Sequence, residues 1–322
     1  VTVAANGTFT GRLFLGGYLT ASFRGALRDG QEQVCEVKLK TGLLRVKLTP
    51  DNATRSIAAR IIEPDDTEWT AQMRLASYHA TRSPAPHVGR CHAVARTTGS
   101  NTDDPAPDGN AYARLSFSKA GRFTCAGRLG DGTPFSVGGV VAPSPAGDSF
   151  GVAIPMRTSR DPAGSILCLH NGIISRDPGD RRLRTSFEAE WGRETNSRRA
   201  EYPAGFWLSL SMAGGEYRAP ARGSTALPMG RMTVNLDRAT PDLTLTHQVV
   251  LGADHRFTVL DPGSDKLQLR LIPSNGLLSG SFIDPATGKK VLVQGLVEQI
   301  GGEARGCFRS GRFSGAIEVT AD

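Results

Sequence analysis

The stretch FEAEWG, residues 187–192, sets two carboxylates two residues apart, with Phe187, Ala189 and Trp191 alternating against Glu188 and Glu190. On one face of a strand such carboxyls stand about 7 Å apart, inside the ~6.5–9.5 Å separation of an inverting glycosidase pair. Any strand with alternating glutamates gives this spacing, so a solvated strand face is the plain alternative. Asn101, Asp103, Asp104, Asp108 and Asn110 offer hard oxygen ligands in one loop. Their spacing is not that of an EF-hand, and an acidic surface loop stiffened by proline accounts for them equally. Cys91 adjoins His92, and Cys168 lies two before His170 on the same strand face, which allows a mixed Cys/His site only if separate strands converge. No CxxC pair, Walker loop, dinucleotide fingerprint, GxSxG elbow or HExxH helix occurs. The expectation is therefore a protein without catalytic residues, metal or cofactor.

A ligand could instead be held by aromatic rings. Trp191, Tyr202, Phe206, Trp207 and Tyr217 concentrate in one region, and alternation places Phe206, Leu208 and Leu210 on one face with Trp207, Ser209 and Ser211 on the other. Trp207 is thus the ring expected to meet solvent. With Tyr202 and the basic loop residues Arg181 and Arg182 it forms the candidate binding set, suited to acidic glycans. Packing beneath the loop of residues 192–205 is the alternative. The chain has 38 Lys and Arg against 31 Asp and Glu, a net charge of +7, which favours anionic neighbours without choosing among them. Arginines spread over many strands without an aromatic stripe, which argues against specific nucleic-acid binding.

The elements that must position these groups are strands. Alternating runs include VCEVKL (34–39), LLRVKL (43–48), ARLSFS (113–118), FWLSLSM (206–212), MTVNL (232–236), LQLRLI (267–272) and VLVQGLV (291–297). Asn6-Gly7, Asp29-Gly30, Asp108-Gly109, Asp131-Gly132, Pro178-Gly179, Asn275-Gly276 and Thr287-Gly288 read as turns between them. Glycine is abundant, 38 of 322 residues, and falls seven times between larger apolar residues on one strand face, at Gly11, Gly25, Gly127, Gly139, Gly280, Gly295 and Gly315. Glycine inside a strand is costly relative to alanine, so the placement needs a cause. Sharply curved strands of a closed sheet, with aromatics covering the bare backbone, supply one. The fold class is all-β and antiparallel, with glycine-kinked strands in one or two β-barrels; a sandwich is the alternative. The related segments starting at residues 7, 121, 276 and 311 are an internal repeat of irregular period, unlike a solenoid or propeller.

Prolines in HATRSPAPHVGR (79–90) interrupt the alternation and place a domain boundary there. Residues 1–84 form a barrel-like domain of about seven strands, read as lacking its first, and residues 85–322 a larger barrel-like domain with long loops. No run reaches the ~18 apolar residues of a membrane helix. Val1 stands in what reads as a strand, so the chain is read as a piece or mature product of something longer.

The order PAPHVGRCHAVA, PDGNAYARLSFSKAGRFTCAGRLGDGTPFS, YPAGFWLSLSMAGGEYRAP, KLQLRLIPSNGLLSGSFIDPATGKKVLVQGLVEQ and GCFRSGRFSGAIEV resembles β-rich modules at the C-terminal ends of very large secreted or surface proteins of the verrucomicrobial type. The resemblance covers nearly the whole chain and rests on turn and packing signatures. It departs where the family pattern has a Gly-x-Tyr strand before the first repeat and a Tyr at the position of Cys91. It implies an extracellular or cell-surface module for adhesion or assembly, whose partners are other domains or copies of the parent protein.

Overall fold

The computed structural model describes all residues except 16–18, 40–41, 101–105, 145–146, 159–160, 197–200 and 239–241. Every regular element among the described residues is a strand, and the chain divides into two compact units, Val1–Ser77 and Tyr78–Asp322. No helix is long and apolar enough to cross a membrane.

In the first unit, β1 (Thr2–Val3), β2 (Thr8–Leu15) and β3 (Leu19–Ala26) form one antiparallel sheet. A second sheet contains β4 (Gln33–Leu39), β5 (Gly42–Asp51), β6 (Ser56–Ile62) and β7 (Glu68–Arg74), in that order. Phe9 and Phe23 from the first sheet and Cys35, Leu44, Val46 and Leu48 from the second share one core. Among the described residues these seven strands make two sheets with free edges, where the sequence of residues 1–84 reads as a barrel-like domain.

The second unit holds two closed barrels, where the sequence reads as a single larger barrel-like domain from residue 85. The first barrel comprises β8 (Gly89–Ser100), β9 (Tyr112–Phe117), β10 (Arg122–Arg128), β11 (Pro134–Ser144), β12 (Gly147–Thr158), β13 (Asp161–Arg176), β14 (Leu183–Arg193) and β15 (Phe206–Glu216). The second comprises β16 (Gly230–Arg238), β17 (Leu243–Leu251), β18 (Arg256–Val259), β19 (Gln268–Ile272), β20 (Leu277–Ile283), β21 (Lys290–Glu298), β22 (Glu303–Ser310) and β23 (Phe313–Ala321). Both are antiparallel meanders closed by first-to-last pairing, β8 with β15 and β16 with β23. An even strand number makes that closing ladder antiparallel.

The strand glycines explain how the sheets curve. Gly11 pairs directly across from Phe23, Gly25 from Phe9, Gly139 from Phe123 and Gly315 from Phe308. In each pair a Cβ on the glycine would collide with the opposing ring. Gly172 with Phe150 and Gly192 with Trp207 repeat the arrangement at positions the alternation did not single out. A second group makes room for backbone: a Cβ on Gly127 would strike the Tyr112 carbonyl, and one on Gly280 the Gln268 carbonyl. Aromatic cover of a bare glycine and tight backbone approach are the two devices that let a pleated sheet bend into a narrow ring. Turn glycines do separate work, Gly7, Gly30, Gly132, Gly276 and Gly288 having positive φ. Gly109, read as a turn glycine, is instead a close approach, since a Cβ there would meet the Gly130 carbonyl.

Inward-facing side chains fill both rings. Phe117, Phe123, Phe150, Phe187 and Trp191 are among those packing the first barrel; Met232, Val234, Leu278, Phe282 and Phe308 are among those packing the second. Among the described residues the inward side chains are mainly apolar and the outward ones mainly polar. All five cysteines are unpaired. Cys91 and Cys125 lie in the first core, where burial pushes both thiols up to about 12.

The barrels are joined by a buried contact. Val94 and Tyr112 of the first meet Leu296 and Cys307 of the second. His92 donates from Nδ1 to the Val297 carbonyl at 2.7 Å, and its ring stacks on Tyr217 with centroids 4.1 Å apart. Tyr217 donates to the Pro273 carbonyl at 2.5 Å. Asn110 adds a backbone hydrogen bond to Gly306 and a side-chain one to Glu318.

Burial, aided by the nearby Arg114 charge and opposed by the Val297 hydrogen bond, lowers the His92 pKa to about 4. The unfolded chain takes up this proton near pH 6.5 and the folded chain only near 4. The resulting stability is complete above pH 6.5 and is lost as pH falls towards 4, by roughly 3 kcal/mol over the window. Urea denaturation from pH 7 to 4 will show this loss in the wild type, and His92→Phe, which keeps a ring against Tyr217 but does not titrate, will show a correspondingly shallower pH dependence. A methyl added by Gly315→Ala would meet both the Phe308 ring and the Asp237 carbonyl. The same measurement at pH 7 should find this variant about 2–3 kcal/mol less stable.

Candidate functional site

Residues able to do chemistry collect on the outer face of β13, β14 and β15 in the first barrel. Ladder register brings His170 opposite Glu188 and Cys168 opposite Glu190, and then Glu188 opposite Ser211 and Glu190 opposite Ser209. The FEAEWG alternation holds, with Phe187, Ala189 and Trp191 buried inward and the two glutamates outward. His170 stands between the carboxylates, with Nδ1 3.4 Å from Glu188 and Nε2 3.8 Å from Glu190. Asn171 donates to Glu188 at 2.8 Å, and the Ser209 hydroxyl lies 3.0 and 3.1 Å from the two Glu190 oxygens. Burial, then the Glu190 charge, raise the Cys168 thiol, so this half-buried sulfur is held in its neutral form. The carboxylates therefore engage an imidazole, an amide and a hydroxyl on one open face; they do not oppose one another across a cleft.

Trp207 extends this face. It is 37% exposed and pairs directly with Gly192, where its ring occupies the place of a side chain. A ring laid on a glycine rests on bare backbone, and the exposed part of Trp207 can serve for stacking. Beside it, the Glu190–Ser209 pair offers hydrogen-bonding groups.

The other candidates lie elsewhere. Tyr202 is buried against Phe206, and its hydroxyl is 3.0 Å from Ser314 Oγ on β23, making it a strut between the barrels. Arg181 and Arg182 occupy the β13–β14 turn, and Arg182 donates to the Glu216 carbonyl and to Gln299. That turn and Trp207 are separated by the length of β14, about 30 Å at ~3.3 Å per residue. The four residues read as a binding set are thus not brought together. Cys91 and His92 also part: the thiol faces the barrel core and the imidazole the joint. Of the acidic loop, Asn101, Asp103 and Asp104 lie outside the described residues, whereas Asn110 serves the joint and the Asp108 backbone donates to Ser314. Among the described residues no group of three or more His, Cys, Asp or Glu is placed to hold a metal ion.

A groove of about 790 Å³ runs where the barrels meet, lined in part by Arg184, Ser186 and Ser211 of the first and Glu298, Glu303 and Arg305 of the second. Its charges are largely used internally. Arg305 is bound by Glu303 and Glu318, Glu298 accepts from the Ile300 and Gly301 amides, and Arg184 binds Asp180 at 2.6 Å.

Two further polar clusters escaped the sequence. Asp148, buried, accepts from the Tyr78 hydroxyl on one oxygen and has His87 Nδ1 3.0 Å from the other, which fixes the segment before β8 to the first barrel. Asp284 accepts from Arg238 at 2.9 Å and Ser310 at 2.5 Å inside the second. The contacts in both clusters join residues tens of positions apart, and no local spacing announces them.

No protein-family model matches the chain, and no curated protein is similar to it in sequence. Among solved structures, a double mutant of the vaccine antigen Transferrin Binding Protein B from Haemophilus parasuis aligns at 10% identity and a TM-score of 0.23. That alignment covers 98% of this chain and 63% of the other, so the chain spans less than two thirds of that protein's length. Intact Ap-TbpB, with N and C lobes, aligns at 10% identity over 88% of this chain and 67% of the other, with a TM-score of 0.22. An endo-1,5-alpha-L-arabinanase from Thermotoga petrophila aligns at 8% identity over 94% and 84%, with a TM-score of 0.23. These are distant likenesses, and the chain's function rests on its own residues.

Proposed function

We propose that this chain is a non-catalytic interaction module of a secreted or cell-surface multidomain protein, working in adhesion or assembly. The observation that carries the reading is the placement of its polar chemistry: both barrels are filled by packed side chains, and Trp207, His170, Glu188, Glu190 and Ser209 are displayed on an outer sheet face. A rigid, open sheet with a fixed aromatic ring suits contact with another surface or an extended polymer more than enclosure of a small substrate. The resemblance to C-terminal modules of large surface proteins supports the same reading.

Glycan recognition is the specific form favoured by Trp207. An exposed ring can stack on a sugar face while Glu190 and Ser209 accept or donate hydrogen bonds at its edge. Acidic polysaccharide, expected from net charge and the Arg181–Arg182 loop, is the poorer fit at this ring, because Glu190 shares its sheet face one ladder step away and the Arg181–Arg182 loop stands about 30 Å off. Neutral or amine-bearing sugars suit it better.

Binding should be measured on an array of neutral, amine-bearing and uronate-bearing glycans at low and physiological salt. We expect neutral or amine-bearing ligands to be retained at physiological salt, and Trp207→Ala to weaken them about tenfold or more. Binding confined to uronates and removed by salt would assign the contact to the basic surface instead. Glycan hydrolysis abolished by Glu188→Gln would overturn the non-catalytic reading.

A further inference from the structure

The last strand of the first unit has a free edge and an unusual exposure. β7 pairs with β6 on one side only and ends its sheet, with no ladder on its other side among the described residues. All but one of its seven residues are exposed, including Trp69 at 57%. Trp69, Ala71 and Met73 pair with Ile61, Ala59 and Ile57 of β6, and those three belong to the core or pack against it. The apolar face of β7 therefore continues the core side of the sheet, and at Trp69 it lies uncovered. Long exposed edges are usually blunted by proline, a bulge or inward-pointing charge. β7 has no proline, its register with β6 is unbroken, and its charges stand on the outer face.

We infer that β7 is a homodimerisation edge, paired antiparallel with β7 of a second copy of this chain about a two-fold axis at Ala71. The sequence Glu68-Trp69-Thr70-Ala71-Gln72-Met73-Arg74 is complementary to itself in this register. Glu68 falls opposite Arg74 of the second copy, Trp69 opposite Met73, Thr70 opposite Gln72, and Ala71 opposite itself. Opposed residues share a face, so both ion pairs lie outward and both Trp–Met pairs lie on the core side, flanking the small alanines. Each Trp–Met contact covers apolar surface that is otherwise wet and adds a sulfur–aromatic interaction. Arg60 holds Glu68 through two hydrogen bonds of 2.7 Å, and Glu63 accepts from the Trp69 indole at 2.8 Å. Two members of the interface are thus already oriented on the free unit. Antiparallel edge pairing is isologous by construction, and two four-stranded sheets would become one of eight.

The test is cysteine cross-linking combined with sedimentation. Under mild oxidation Ala71→Cys should give a covalent dimer readily, because the two thiols face each other across the axis, whereas Gln72→Cys, opposite Thr70, should not. Wild-type protein, whose five native thiols are mostly buried, serves as the background. In sedimentation the wild type should dimerise with rising concentration. Arg74→Glu should weaken the dimer about tenfold or more by setting like charges opposite, and the exchange Glu68→Lys with Arg74→Glu should restore much of it. A monomer at all concentrations, equal cross-linking at positions 71 and 72, or an Arg74→Glu dimer as tight as wild type would each overturn the inference.

Discussion

Closure of a hydrogen-bonded ladder is the constraint from which the rest of this structure follows. A strand pair satisfies its backbone only on the facing sides, and a ring of eight leaves no strand with an unpaired edge, but it demands curvature that side chains on every inward position would block. The glycines opposite aromatic rings resolve the conflict in pairs. One residue gives up its side chain, and the one across the ladder spreads over the vacancy. Gly139 with Phe123 and Gly315 with Phe308 show that the bend and the core packing are made by the same contact.

The filled interior has consequences for charge. Ionic groups taken out of water need partners of opposite charge, and Arg193 lies 3.1 Å from Asp131 while Arg238 binds Asp284, which Ser310 also supports. Such groups hold the barrels in register and are spent structurally. Chemistry that is available to a visitor is left to the outer faces, where His170, the two glutamates and Trp207 stand together.

Much of this could be read from the chain, and the limits have a physical origin. Period-two alternation identified the inward and outward faces of β14 and β15 because a strand's side-chain geometry is local. The same rule gave Glu188 with Glu190 and Cys168 with His170 as separate same-face pairs. Their meeting depends on the β13–β14 register, which includes an irregularity between His170 and Ile173, and no local spacing encodes it. Tyr202 reads as a binding residue because it belongs to a local concentration of aromatic rings. Its partner Ser314 lies 112 residues away, and that contact buries it. Arg182 misleads for the same reason, its partners being the Glu216 carbonyl, 34 residues away, and the Gln299 side chain, 117 residues away. The seven glycines were legible as a pattern, whereas which ring or carbonyl each one accommodates was decided by pairing.

Closure by the first and last strands also fixes where the chain enters and leaves each barrel. Cys91, near the start of β8, pairs with Glu216 at the end of β15, and Met232, near the start of β16, with Ala321 at the end of β23. Entry and exit are therefore neighbours about 5 Å apart, at the same end of the ring. A barrel built this way hangs on the polypeptide as a pendant loop and can be duplicated in tandem without rethreading its neighbours. Tension applied through its two ends would open the closing ladder from that end, one hydrogen bond after another like a zipper, and would not shear the whole ladder at once.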